Sequence, residues 1–221
     1  MKQKHLVWRL ESLRQFENPK LHLEQYPTRA ELAAEILRTV EAESGIEGCR
    51  IGDFGCGPGI LLIGAALLGA RQCVGYELDE EVVTICRENI AEAEVEDQCE
   101  VITRDILAPN AFQKEQPFDL IVMNPPFGTK NNEGTDLRFV RTALETIKPD
   151  GSVYSLHKTS TRSGIQRRAQ TWESVATVVA ELRWELPRTY KHQRKETLDI
   201  ATSDSYIGCN NPMLIFASSG Q

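Results

Sequence analysis

Asn124-Pro125-Pro126-Phe127 joins a side-chain amide, two rigid imino acids and an aromatic ring in one short run. An amide oxygen and a neighbouring carbonyl can accept the two N–H bonds of an exocyclic amine, and the ring offers a planar group a face to stack on. The prolines fix φ and lack N–H donors, so the local carbonyls are not consumed in regular structure. Upstream, Gly55-Cys56-Gly57-Pro58-Gly59 is a turn that lets a ligand approach the backbone ahead of a helix start with free N–H groups. Its spacing is G-x-G-x-G; a dinucleotide fingerprint would need glycine where Ile60 stands. Glu77, about 20 positions beyond this loop, suits ribose hydroxyls. Asp105 suits a nucleobase edge. Each feature taken singly has a plain structural alternative: a proline-rich strand exit, a tight βα turn, a solvated turn acid.

The elements around these residues sharpen them. Short apolar runs at 50–54, 72–76, 99–103, 118–123 and 152–156 read as strands, and helical periodicity follows at 60–68, 79–90, 136–147 and 163–172. That alternation predicts an α/β fold with a doubly wound, mostly parallel sheet and helices on both faces. Every candidate group then stands at the carboxyl end of a strand, where such sheets bind ligands. At the amino terminus Leu6, Val7, Leu10, Leu13 and Phe16 predict a helix over 4–17, ended by Asn18-Pro19. Thr28 and Glu31 have capping-box spacing before a second helix carrying Leu32, Ile36 and Val40. Residues 25–28 read either as a lid over a cofactor or as a helix entry. Pro149-Asp150-Gly151 signals a turn, and the polar, glycine-bounded loop 128–134 reads as mobile or substrate-facing. The segment 175–186 reads as a strand. So do 197–201 and 213–216, separated by an Asn210-Asn211-Pro212 turn. The chain is expected to form one domain over 1–221, with amino-terminal helices and lid in 1–48 and the catalytic sheet in 49–221.

At 221 residues, 41% apolar and 26% charged, the composition is that of a globular protein with a full core. The sequence has no apolar run of membrane-spanning length and no apolar signal core at its start, which predicts an intracellular protein. Its six cysteines are scattered without a CxxC pair, so packed thiols are expected and neither a zinc site nor a disulfide framework. The formal charge of −7 argues against a uniformly basic nucleic-acid binder. Yet residues 158–195 hold nine Lys/Arg against three Glu, a net +6 that leaves −13 on the rest. With Tyr190 interleaved, this stretch is the candidate RNA-facing surface.

Glycine turn, Glu77, Asp105 and Asn-Pro-Pro-Phe, following strands one to four in order, together resemble class I S-adenosylmethionine-dependent methyltransferases that act on planar nitrogens: adenine N6, cytosine N4 or a glutamine amide. Three stretches narrow the resemblance: Glu24-Gln25-Tyr26-Pro27-Thr28, NPPFGTKNNEGT at 124–135, and Tyr154-Ser155-Leu156-His157-Lys158. They are similar to the small-subunit ribosomal RNA adenine-N6 methyltransferases of the methyltransferase-like-protein-five family, over nearly the whole chain up to about residue 200. Pro58 stands where that family has a familiar Cys, and Glu77 replaces an Asp.

The resemblance implies a Rossmann-like, seven-stranded sheet and S-adenosylmethionine as cofactor. It assigns that cofactor to Gln25, Thr28, Asp53, Gly55, Gly57, Pro58, Gly59, Ile60, Glu77, Asp105, Ile106 and Asn124, with Glu77 on the ribose and Asp105 on the adenine amine. Asn124 and Pro125 would accept the target amine, Pro126 would stiffen the turn, and Phe127 would stack on a flipped base. RNA contacts are expected from Lys130, Lys158, Arg162, Arg167, Arg168, Lys191, Arg194 and Lys195. The family works with a small zinc-binding activator subunit. Its expected place is the third strand, Cys99 to Thr103, as a sheet edge, with the zinc in the partner and none in this chain. A nuclear (nucleolar) and cytoplasmic location goes with that role. Two readings compete: a protein glutamine N5-methyltransferase and a non-catalytic, cofactor-binding ribosome assembly factor. Phe127 in place of Tyr, the lack of a separate amino-terminal recognition domain and the basic segment favour RNA.

Overall fold

Five short apolar segments form the parallel part of one sheet: β1 (Arg50–Phe54), β2 (Gln72–Glu77), β3 (Cys99–Thr103), β4 (Phe118–Met123) and β5 (Ile147–Lys158). β6 (Ser174–Trp184) and β7 (Asn211–Gly220) extend it, giving the order β3-β2-β1-β4-β5-β7-β6. β7 lies antiparallel to both β5 and β6. This computed structural model describes residues 1–128, 133–184 and 211–220. The predicted strand at 197–201 lies outside them, and Asn211 and Pro212, expected in a turn, belong to β7. The chain leaves β1 toward β2 and β3 on one side and returns to β4 and β5 on the other. The switch point is therefore between β1 and β4, and a crevice opens there beyond the strand ends.

Burial follows residue type. β1 is buried throughout and β2 nearly so, as strands covered on both faces must be. One face is covered by α1 (Gln3–Glu11), α2 (Ala30–Glu43), α3 (Ile60–Leu67) and α4 (Glu80–Glu92), whose Leu10, Leu37, Ile63 and Cys86 join one core with Ile51 and Val122. On the other face α5 (Thr135–Leu144) brings Val140 and Ala143 onto Phe54, Tyr76, Phe118 and Ile121. No helix connects β3 to β4. The connection instead lays Phe112 flat on Phe54, centroids 4.9 Å apart. Glu115, in the same connection, pairs with Arg50 and Arg104, both at 3.1 Å. α6 (Arg162–Thr171) links β5 to β6 and buries Ile165 and Ala169.

Three local expectations give way to tertiary contacts. α1 stops at Glu11, well short of Asn18-Pro19. The buried Asn89 of α4 captures the backbone of Arg14, accepting its N–H at 2.8 Å and donating to its carbonyl at 2.9 Å. Those bonds take the chain out of helical geometry. The capping box is absent: α2 starts at Ala30 behind Arg29, which makes no side-chain cap, and the Thr28 hydroxyl is engaged elsewhere. Pro149-Asp150-Gly151 is an irregularity inside β5, where the register with β4 shifts between Phe118 and Leu120. The edge position of β3 is as expected; among the described residues it pairs with β2 and nothing else. The five described cysteines are free thiols, and no described helix is long and apolar enough to cross a membrane.

Candidate active site

β1 delivers the chain into the glycine turn. Gly55, Gly57 and Gly59 take φ of +72°, +53° and +93°, left-handed values that favour glycine. A Cβ on Gly57 would also lie 2.9 Å from the Phe16 ring. Glu77, at the end of β2, accepts the Gly57 N–H at 3.0 Å through one oxygen, and the Leu78 and Asp79 N–H groups at 2.8 and 3.0 Å through the other. Three bonds leave a carboxylate about one further acceptor position. Burial pushes the Glu77 carboxyl up, against the Asp79, Gly57 and Leu78 N–H groups that pull it down. Asp53 accepts the Leu62 N–H at 3.0 Å and so ties the end of β1 to the first turn of α3. Burial drives its carboxyl up to about 8; the Leu62 bond opposes this and nearby Glu77 adds to it.

A strap formed by residues 12–29 crosses above this turn and is tied down at three points. Asn89, fully buried, holds Arg14 and also donates to the Pro58 carbonyl at 2.8 Å. The proline thus contributes the one backbone group it retains. Lys20 Nζ and Gln25 Nε2 both donate to Asp79, each at 2.8 Å. Burial opposes ionisation of Asp79, but Lys20 and Gln25 outweigh it and hold the carboxyl below its ordinary range. The third tie is at the turn after β4, where Asn124 Nδ2 donates to Thr28 Oγ1 at 3.0 Å. Asn124 Oδ1 is left buried with no hydrogen-bond partner.

Strap and strand ends enclose a cavity of about 320 Å³, within the size range of small-molecule sites. Gln25, Thr28, Asp53, Gly55, Gly57, Pro58, Ile60, Glu77, Asp105, Ile106, Asn124 and Pro126 all line it, so most residues assigned to cofactor and target meet in one place. Gly59 is not on the wall; it is the N-cap residue just ahead of α3. Pro125 and Phe127 are not on the wall either. Lys158 Nζ stands 5.5 Å from the centroid of the Phe127 ring, so its expected free stacking face carries a cation. Exposed Arg162, Arg167 and Arg168 follow on α6, whereas Lys130, Lys191, Arg194 and Lys195 lie outside the described residues.

Sequence reasoning missed Asn89, Lys20, Asp79, Phe16, Arg104, Arg138 and Phe139. Asn89 had a signal: it is a polar residue on the apolar stripe of Val82, Cys86 and Ile90. Arg104, Arg138 and Phe139 line the cavity only because loop and helix are folded over it, and no spacing announces that. The residues fit an adenosyl sulfonium. A cavity of suitable size carries an acceptor at Glu77, a carboxylate at Asp105 and an unsatisfied amide oxygen beside Pro126. Among the described residues no cluster of three or more His, Cys, Asp or Glu is placed to hold a metal ion.

Several known proteins resemble this chain. A family model for ribosomal protein L11 methyltransferase (PrmA) matches residues 31–125, the span from α2 to the proline turn. The rRNA N6-adenosine-methyltransferase of Caenorhabditis elegans is 44% identical over 203 residues, covering 91% of this chain and 95% of that protein. The protein of the same description from Danio rerio is 42% identical over 201 residues, covering 90% and 95%. A Pyrococcus horikoshii structure, provisionally described as an RNA methyltransferase, superposes with a TM-score of 0.79 at 29% identity, covering 100% of this chain and 97% of that one.

Proposed function

We propose the following for this chain, which belongs to the family of rRNA N6-adenosine methyltransferases: it methylates N6 of an adenosine in small-subunit (18S) rRNA, with S-adenosylmethionine as donor. The observation that carries the reading is Asn124 Oδ1, buried beside the cavity without a partner while its amide nitrogen is bound by Thr28. An adenine amine is a weak nucleophile because its lone pair is delocalised into the ring. Two acceptors, Asn124 Oδ1 and the Pro125 carbonyl, would bind its two N–H bonds and favour a pyramidal nitrogen. The cofactor supplies, when bound, an electrophilic methyl group on a sulfonium. Glu77 has one acceptor position for a ribose hydroxyl, and Asp105 stands ready for the adenine amine of the cofactor. The protein's contribution is thus positioning and electrostatics, with no strong base required before attack.

Lys158 and α6 would receive the RNA backbone, and Phe127 would take the flipped base once Lys158 moves to a phosphate. The open edge of β3 suits a strand of a small zinc-binding activator subunit. A nuclear and cytoplasmic location belongs to the same reading. So does a seven-stranded sheet, supported by the registered pairing of β7 with β5 and β6.

The test is methyl transfer by the full chain to purified small-subunit rRNA, read by mass spectrometry of nucleosides, beside a glutamine-bearing release-factor peptide. N6-methyladenosine is expected, and Asn124→Ala should lower its formation at least roughly a hundredfold, as loss of a transition-state hydrogen-bond partner does, with cofactor affinity nearly kept. Methylated peptide without methylated RNA would establish the glutamine reading instead. No product from either substrate, with Asn124→Ala retaining function in cells, would establish an assembly factor.

A further inference from the structure

We propose that Asp79 is a positioning residue that seats the strap over the cavity by joining it to the strand end that carries Glu77; the inference rests on the S-adenosylmethionine reading above. The loop 20–25 is closed on itself, because Gln25 Oε1 accepts the Lys20 N–H at 2.7 Å. Lys20 Nζ and Gln25 Nε2 thereby stand side by side and reach the two oxygens of one carboxylate, Oδ1 and Oδ2 of Asp79, each at 2.8 Å. Only one orientation of the Gln25 amide fits, since a backbone N–H requires its oxygen and a carboxylate requires its nitrogen. Gln25, expected to touch the cofactor, is thus held at both ends of its amide by the protein itself.

Asp79 belongs to two neighbouring structures at once. As the N-cap of α4 it accepts the Glu81 N–H at 3.2 Å through Oδ1, and its own N–H donates to Glu77 Oε1 at 3.0 Å. Glu77 in turn holds the Gly57 N–H, so glycine turn, ribose acceptor and strap meet at one residue. Neither Asp79 nor Lys20 lines the cavity, whereas Phe16, Leu23, Gln25 and Thr28 of the strap do. Whatever this pair does to a bound ligand is therefore done through the elements it joins. Breaking the joint leaves the far wall in place and loosens the strap wall. The ligand should then leave faster without entering more slowly.

The experiment compares wild type, Asp79→Ser, Lys20→Met and Lys20→Arg in the full chain, by stopped-flow association and displacement of S-adenosylmethionine. Serine still caps α4 but is too short to reach Lys20 and Gln25. Asp79→Ser should raise the dissociation rate at least roughly tenfold, the value of a charge-assisted hydrogen bond. The association rate should stay within about twofold of wild type. Lys20→Met should raise dissociation about threefold or more, and Lys20→Arg should stay near wild type. A through-space charge effect predicts otherwise: the sulfonium is positive, so losing Asp79 would weaken binding and losing Lys20 would tighten it. In the ligand-free chain, the Leu23, Glu24 and Tyr26 amides are bonded within the strap, and Asp79→Ser should speed their hydrogen exchange at least roughly fivefold. Melting curves control for a damaged fold, and Lys20→Met, which leaves the cap untouched, carries the test if Asp79→Ser does not fold. Wild-type dissociation in the folded variants overturns the proposal. So do opposite shifts for Asp79→Ser and Lys20→Met, and so does a Lys20→Arg variant that behaves like Lys20→Met. A wild type that binds no S-adenosylmethionine defeats the cofactor reading instead, and the exchange of the strap amides then decides the joint.

Discussion

Asp53 and Glu77 put two carboxyl groups, 1% and 9% exposed, on either side of the glycine turn. Both are shifted upward, and burial is the leading cause in each. For Asp53, raised to about 8 from 3.8, the folded chain keeps a proton that the unfolded chain releases between those values. Its stabilising contribution is complete below the unfolded pKa and is lost as pH rises through the folded one. A single such group tilts stability by up to about 1.4 kcal/mol per pH unit. Asp79 and Asp119, both shifted down, act only at the acid end and with the opposite sign. The melting temperature should therefore fall as pH rises from 5.5 to about 8.5, and Asp53→Asn should flatten the fall while still accepting the Leu62 N–H. Parallel slopes in wild type and variant would refute the assignment. The family resemblance marked Asp53 as a ligand residue. That it also ties β1 to α3 depends on a helix bending back over it, which no local pattern records.

Elements rather than single residues decide how well the turn after β4 is held. Asn124 to Phe127 leaves the sheet, and α5 begins at Thr135 with Asp136 in its first turn. Asp136 Oδ2 lies 3.3 Å from His157 Nδ1, and His157 Nε2 lies 2.7 Å from Ser155 Oγ, all within the core beside β5. This buried chain pins the start of α5 to the sheet, while Thr135, Arg138 and Phe139 of the same helix line the cavity. His157→Ala should cost about 2–4 kcal/mol, because it leaves the buried Asp136 carboxylate without its ring partner. The melting temperature would then drop by roughly 5–15 °C for a domain of this size. A drop under about 2 °C would contradict the pinning role. The strands were legible at this scale because their apolar runs are short and bounded, and so were the helices that follow them. The end of α1, the start of α2 and the bulge in β5 were not. Each is set by a partner far along the chain: Asn89 for Arg14, Asn124 for Thr28, and the β4 register for Gly151.

Across the whole molecule, charge is divided between a basic stretch and an acidic body. Residues 158–195 carry +6, while the chain totals −7. The fold gives the division a direction, since β5 ends at Lys158 beside Phe127 and α6 continues from that side of the sheet with Arg162, Arg167 and Arg168 exposed. On the proposed reading, the acidic remainder would repel a polyanion and steer RNA to the face where the turn after β4 opens. Sequence could identify the basic stretch but not its distance from the turn; that follows from β4 and β5 being neighbours. Each phosphate contact to single-stranded RNA contributes about 0.7 to the slope of log K against log salt. Replacing Arg162, Arg167 and Arg168 together by alanine should reduce that slope by about 2. Binding should weaken to the same degree for two rRNA fragments that carry adenosine or inosine at the methylated position, since phosphate contacts carry no base information. Cofactor affinity should be unchanged, because none of the three arginines reaches the cavity. Titrations of a fluorescent rRNA fragment at several salt concentrations read both quantities. A wild-type slope in the triple variant would remove α6 from the RNA path, and a loss confined to the adenosine fragment would make it part of base selection instead.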